Sequence, residues 1–120
     1  MILVDTSVWV RHFRESCSDL KKLLEEGDML CHPFVIGEIA CGYLKNRKEI
    51  LKLLNALPQA PSLDLEEVLY FMHTENLYGK GVGLIDIHLL GSAQLSHAKL
   101  WTEDKRLKTL AKNLKIDFEI

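Results

Sequence analysis

Four acidic residues lie where structural elements of this chain are predicted to begin or end. Asp5 directly follows a short apolar run with the character of a buried strand, and Asp104 falls just past the end of another. Glu38 lies on the second turn of one predicted helix, and Asp86 lies in the first turn of another. In an open parallel sheet, ligands bind at the carboxyl ends of the strands. The sequence therefore predicts that the four side chains meet at one edge of a sheet.

A cluster of four carboxylates needs cations or protons to hold it together. Two like charges 4 Å apart repel by about 4 kcal/mol at an effective dielectric constant of about 20. A helix N-terminus offsets only about 0.3–1 kcal/mol of that for each acid. Hard divalent ions with oxygen ligands, Mg²⁺ or Mn²⁺, suit such a site. Metals held in this way activate water and stabilise charge on a phosphate, so the predicted chemistry is phosphodiester hydrolysis.

Each of these acids also has an ordinary structural interpretation. An Asp in front of a helix is commonly its N-cap, which would account for Asp5 and Asp104 individually. Asp86 would then open its helix, and Glu38 would lie on a solvated edge. The shared placement of all four acids at strand ends favours the metal site.

The elements that position the acids alternate between strands and helices. Short apolar strands are predicted at 2–4, 29–31 and 99–102, with an alternating edge strand at 117–120. Helices between strands imply parallel pairing through right-handed crossovers. The sequence predicts an α/β fold, a three-layer α/β/α sandwich around a central parallel sheet of about four to five strands, in a single domain over 1–120.

The composition excludes several other classes of protein. With 48% hydrophobic and 27% charged residues, the chain is globular rather than disordered. No apolar run is long enough to cross a bilayer, and the start has no basic leader, so we expect a cytoplasmic protein without a membrane partner. Three cysteines without a C-x-x-C pair predict free thiols. The net charge of −2 does not by itself indicate a nucleic-acid partner.

Four segments around these acids resemble the motifs of a known family. Ile2–Trp9, Pro33–Ile39, Gly83–Leu90 and Leu100–Leu107 are similar, in order and spacing, to the four motifs of PIN-domain nucleases, in particular the VapC-type toxins of bacterial toxin–antitoxin pairs. The similarity extends over essentially the whole chain.

This resemblance implies a metal-dependent endoribonuclease that a cognate antitoxin protein inhibits and that usually forms a homodimer. Matched motif by motif, Asp5 and Asp86 are the expected main ligands of Mg²⁺ or Mn²⁺. Glu38 and Asp104 are expected to complete the acidic pocket. Glu103 is expected to point away from it.

Several further residues are candidates for substrate binding. Thr6 or Ser7 is expected to hydrogen-bond a ligand carboxylate or the substrate. Lys80, in a glycine-rich loop, is a candidate phosphate contact. Arg11 and the basic group at 45–48 are candidates for steering RNA, although such charges usually form a solvated face.

Apolar residues of two predicted helices can be interpreted either as core or as an interaction surface. Trp9, Phe13, Tyr43 and Leu44 are either core residues or, in part, a surface for an antitoxin helix or a second copy of the chain.

Two other functions remain as alternatives. One is a catalytically idle PIN-like binding module that uses the scaffold for partner contacts. The other is a receiver-type phosphoacceptor domain, which normally has a pair of acids after its first strand. Here Thr6 and Ser7 follow Asp5, which disfavours the second alternative.

Overall fold

The computed structural model describes all residues, 1–120, and contains a three-stranded parallel sheet. The strands are β1 (Ile2–Val4), β2 (Met29–Leu30) and β3 (Lys99–Trp101), in the order β2-β1-β3. The central strand β1 is buried along its whole length, which explains why it is apolar at every position. The predicted α/β fold with a parallel sheet is confirmed.

Seven helices surround the sheet, and none is long and apolar enough to cross a membrane. They are α1 (Thr6–Glu15), α2 (Ser18–Glu26), α3 (Pro33–Cys41), α4 (Arg47–Ala56), α5 (Leu65–Thr74), α6 (Leu84–Leu95) and α7 (Lys105–Asn113).

The sheet has fewer strands than the four to five predicted. The segment predicted as an edge strand makes only one bridge, from Asp117 to Leu100, and Gln59 makes another to Cys31. The C-terminal segment is held against β3 around that one bridge, through hydrogen bonds from Leu100 N–H to Ile116 O at 2.7 Å and from Phe118 N–H to Leu100 O at 3.0 Å.

The start of α1 matters for the site. Its N-cap is Asp5, the position that the ordinary interpretation gives this acid, but the Asp5 side chain makes no capping hydrogen bond. Thr6 and Ser7 lie in the first turn, where the Thr6 hydroxyl reaches α3 and the Ser7 hydroxyl bonds back to Asp5. The Asp5 carboxylate is thereby left free for contacts outside its own helix.

The helix α6 runs through the centre of the molecule. Its residues 87–93 are all buried. Gly91 permits the close approach of α5, because a Cβ at this position would lie 3.3 Å from a ring atom of Phe71. Packing on this scale fixes α6 along its length, and with it the position of Asp86 near its N-terminus.

A buried histidine joins α6 to the start of α3. His32 is the N-cap of α3, and its Nδ1 accepts a hydrogen bond of 3.0 Å from the Phe34 backbone N–H. Its Nε2 lies 3.0 Å from the Ser92 hydroxyl. Burial lowers the pKa of His32 to about 4, so the ring is neutral in this contact. His32 thus couples the helix that carries Glu38 to the helix that carries Asp86.

Candidate active site

The four acids lie at the end of the sheet where β1 and β3 finish. Asp5 follows β1 directly and is 5% exposed. Asp104 is the N-cap of α7, and its Oδ1 accepts a 2.9 Å hydrogen bond from Leu107 N–H. Asp86 lies in the first turn of α6, and Glu38 is a half-buried residue of α3. Asp104 therefore caps its helix as well as belonging to this group.

The electrostatics of Asp86 show that the four carboxylates influence one another. Burial is the largest effect that raises the pKa of Asp86, to about 6, and the negative charges of Asp5, Asp104 and Glu38 raise it further. The Gly83 backbone N–H has the opposite, smaller effect. The structure thus brings the side chains together at one edge; we call these four residues the acidic rim.

No cationic side chain neutralises the acidic rim. The ion pairs of the molecule are Met1–Asp28, Arg11–Glu103 and Lys108–Glu119, and none involves a rim acid. As the side chains stand, no group of three or more Asp, Glu, His or Cys residues lies close enough together to hold a metal ion. A donor set made only of carboxylate oxygens, without a neutralising partner, fits Mg²⁺ or Mn²⁺ better than a soft metal.

Two hydroxyls fix the Asp5 carboxylate. Ser7 Oγ and Thr102 Oγ1 both donate to Asp5 Oδ2, each at 2.7 Å. The Asp104 N–H donates to the same Thr102 oxygen at 3.0 Å. Because both hydroxyls hold Oδ2, the other oxygen of Asp5 keeps its lone pairs for a ligand.

A third hydroxyl holds Glu38. Thr6 Oγ1 donates to Glu38 Oε1 at 2.6 Å and so connects α1 to α3. Thr6 and Ser7 therefore both bind carboxylates of the acidic rim, one of the two roles that the sequence suggested for them.

The contact from Thr102 to Asp5 is the part of the site that sequence reasoning missed. The signal lay in strand pairing, because Val4 is opposite Trp101 across the parallel β1–β3 pair. The next residue of each strand is then Asp5 and Thr102, which must be neighbours.

Two of the candidate cations for RNA binding, Lys80 and Arg11, differ in their surroundings. Lys80 lies in the exposed loop before α6 and takes part in no ion pair. Arg11 Nη1 lies 2.9 Å from Glu103 Oε1, and Arg11 Nη2 donates to Cys17 Sγ at 3.0 Å. Lys80 is free to contact a phosphate, whereas Arg11 already has two partners.

Two depressions adjoin the acidic rim. A hollow of about 340 Å³ lies between Glu38 and Asp86, with residues 83–85 along its side. A larger groove of about 610 Å³ extends from Glu38 between α1, α3 and the start of α4. Its apolar lining residues are Val10, Phe13, Ile39, Tyr43, Leu44 and Ile50. A ligand in either depression would lie against Glu38.

His88 has a packing role in this structure. It is 5% exposed, and its ring stands edge-on to Phe34 with centroids 4.7 Å apart. Its Nδ1 has no hydrogen-bond partner, and burial lowers its pKa.

Comparison with known proteins identifies the family. The profile of the PIN domain family matches residues 2–113. Ribonuclease VapC32 of Mycobacterium tuberculosis, in two strains, is 48% identical over 109 residues, which cover 90% of this chain and 88% of that protein. The crystal structure of PAE2754 from Pyrobaculum aerophilum has the same fold, with a TM-score of 0.61 at 18% identity, over 94% of this chain and 85% of that one.

The chain therefore belongs to the PIN domain family. Its four motif segments resemble those of VapC-type ribonucleases. The sequence identity to VapC32 over most of both chains confirms this resemblance.

Proposed function

We propose that this protein is a metal-dependent endoribonuclease, the toxin of a toxin–antitoxin pair, which hydrolyses RNA phosphodiester bonds at the acidic rim. The observation that carries the proposal is the rim itself, four carboxylates near one another without a cationic partner, in a chain 48% identical to a ribonuclease. The name of that relative supports RNA as the substrate.

In this proposal, Asp5 and Asp86 are the main ligands of Mg²⁺ or Mn²⁺, and Glu38 and Asp104 complete the site. A bound divalent ion supplies Lewis-acid stabilisation of the phosphate charge and lowers the pKa of water. Since the pKa of Asp86 is about 6, its carboxylate is charged at neutral pH and available as a ligand.

The hydroxyls around the acidic rim set the directions of its carboxylates. Ser7 and Thr102 hold one oxygen of Asp5, and Thr6 holds one oxygen of Glu38. A carboxylate with one oxygen fixed presents the other in a defined direction, which reduces the rearrangement needed when substrate binds. Lys80 is the proposed cation for an RNA phosphate.

An antitoxin is the proposed protein partner. The apolar groove that extends from Glu38 supports this, because a peptide in it would also block the acidic rim. Tyr43 in this groove is fully exposed, as is unusual for an aromatic side chain without a partner. The three free cysteines fit the reducing cytoplasm, where we expect such a toxin to act.

A homodimer is proposed on the face formed by α5 and α6. Leu65, Leu69, Tyr70 and Leu95 are all at least half exposed there. From residue 53 to 98 the only lysine or arginine is Lys80. Interface cores combine exposed apolar side chains with few lysines, and the acids of this face, Asp64, Glu66 and Glu67, would then lie at the rim of the interface.

The experiment that tests the proposed function compares the purified parent with Asp5→Asn on a pool of cellular RNAs. We expect cleavage by the parent with Mg²⁺ or Mn²⁺, none with EDTA, and a loss of more than about 100-fold in the variant. Asp19→Asn, an exposed acid in the first turn of α2, is the matched control and should cleave like the parent. Sequencing of the RNA ends would identify the substrate.

Two results would reject this assignment. If Asp5→Asn cleaves as fast as the parent, the activity does not come from the acidic rim. If the folded parent cleaves no RNA with either ion, the idle binding module becomes the better description.

A further inference from the structure

A fifth acid, Glu103, lies next to the acidic rim. Its backbone N–H donates to Ser7 Oγ at 3.0 Å, and the same hydroxyl donates to Asp5 Oδ2. The main chain of Glu103 is therefore two hydrogen bonds away from the Asp5 carboxylate, and its neighbour in sequence is Asp104. Its side chain is 40% exposed, so it has room to move.

The Glu103 carboxylate is nevertheless held apart from the acidic rim. Its Oε1 lies 2.9 Å from Arg11 Nη1. The three rim partners of Asp86 all raise the pKa of that residue, but Glu103 is not among the charges that do so. The structure has a four-acid rim beside a fifth acid that does not take part in it.

The guanidinium that holds Glu103 is itself fixed on its other side. Arg11 Nη2 donates to Cys17 Sγ at 3.0 Å, and Cys17 is 7% exposed at the N-cap of α2. The hydrogen bond to Cys17 is the largest effect that raises the pKa of Arg11; burial opposes it, and the negative charge of Glu103 adds to it. Arg11 is therefore anchored between two elements rather than extended into solvent.

The backbone of the turn does not depend on this ion pair. Glu103 N–H bonds to Ser7, Asp104 N–H bonds to Thr102, and the Asp104 carboxylate accepts from Leu107 N–H. These bonds hold the turn from several sides. What the Arg11 contact adds is a defined direction for the Glu103 side chain.

We infer that Arg11 is a positioning residue that keeps the Glu103 carboxylate out of the acidic rim. This inference rests on the proposed function and extends it. A fifth carboxylate at the rim would bind a divalent ion more tightly and would repel the phosphates of an incoming RNA. Arg11 thus maintains the charge of the metal site without contacting metal or substrate.

A double-mutant cycle on Arg11 and Glu103 tests the inference. The parent, Arg11→Ala, Glu103→Ala and the double variant are each titrated with Mn²⁺ in the absence of RNA, and free Mn²⁺ is followed by electron paramagnetic resonance. Their kcat/KM for RNA is measured in parallel. Arg11→Lys, which retains a cation for Glu103, is the conservative control, and thermal melting reports folding.

We expect Arg11→Ala to bind Mn²⁺ about fivefold more tightly and to cleave about fivefold more slowly, within the range of coupling seen for residues in contact. Glu103→Ala alone should change Mn²⁺ affinity by less than about twofold, because its carboxylate is already held away. When Glu103→Ala is added to Arg11→Ala, both the Mn²⁺ affinity and the cleavage rate should return towards those of the parent. Arg11→Lys should lie close to the parent.

Additive effects of the two substitutions on Mn²⁺ affinity would overturn the inference, since simple charge changes add. A rise in the KM for RNA that is equal in Arg11→Ala and the double variant would also overturn it, because it would show that Arg11 contacts RNA directly. Failure of the parent to cleave RNA would count against the proposed function alone. The Mn²⁺ cycle would still decide the role of Arg11.

Discussion

Replacing Asp86 with Asn should stabilise the metal-free protein while it abolishes cleavage. The folded protein holds the Asp86 carboxylate near three like charges, and its pKa rises from 3.8 to about 6. Between these values the folded state binds more protons than the unfolded state, so the free energy of unfolding falls as the pH rises from about 4 to about 6. Asn has nearly the same shape as protonated Asp and does not undergo this loss.

The size of the effect follows from the change in pKa. One pKa unit corresponds to about 1.36 kcal/mol, which gives about 3 kcal/mol for the full change from 3.8 to about 6. Asp86 is only partly buried, and solvent screening reduces this value, so we expect a gain of about 1–2 kcal/mol at pH 7.5. At pH 4.5 the carboxylate is largely protonated in the folded protein, and the gain should shrink to about a third.

Urea denaturation of the parent and Asp86→Asn at pH 7.5 and 4.5, with EDTA present, measures both values. Asp19→Asn is the control, because it removes a helix N-terminal acid without three neighbouring carboxylates and should be slightly destabilising. Adding Mg²⁺ should stabilise the parent but not Asp86→Asn, so the parent should then have the higher free energy of unfolding. Equal stability at pH 7.5, or a gain that does not depend on pH, would refute the reasoning.

Three further predictions concern other parts of the molecule. Because the pKa of the buried His32 is lowered to about 4, the free energy of unfolding should fall as the pH decreases from about 6.5 to 4. His32→Asn keeps a capping oxygen but does not titrate, so urea denaturation at several pH values should show a flatter profile in this range. Gly91→Ala should cost about 1–3 kcal/mol in thermal denaturation, because its methyl group would collide with residues packed against α6, whereas Gly37→Ala, with open space around its Cβ, should not destabilise. Thr102→Val should lower kcat more than it raises KM, because it removes a hydroxyl that orients Asp5; an effect on KM alone would contradict that role.

The fold was predictable from the sequence where the chain is strongly patterned. The apolar strands at 2–4 and 99–101 and the helices between them follow from their hydrophobic runs, and the αL glycine that ends α2, Gly27, follows from its position. The C-terminal strand was not predictable in the same way. Its alternating pattern is that of a strand, but it pairs with β3 through a single bridge, and no feature of the sequence distinguishes that from a full strand.

The acidic rim was predictable because a topological rule applies to it. Parallel strands end at the same edge, so acids at strand ends and helix starts converge even when they are far apart in sequence. No comparable rule predicts the directions in which the side chains point. That Thr6 bonds to Glu38, and that Arg11 pairs with Glu103 rather than facing solvent, depends on rotamers and on contacts between elements.

The continuous burial of residues 87–93 in α6 has a consequence for how activity is lost. Amide hydrogens in this stretch should exchange with solvent only when the entire domain opens, because no part of the helix can unwind without exposing apolar surface. The carboxylate near the N-terminus of that helix is then displaced only together with the core. Heating or protease treatment should therefore remove structure and activity in a single transition, without a folded but inactive intermediate.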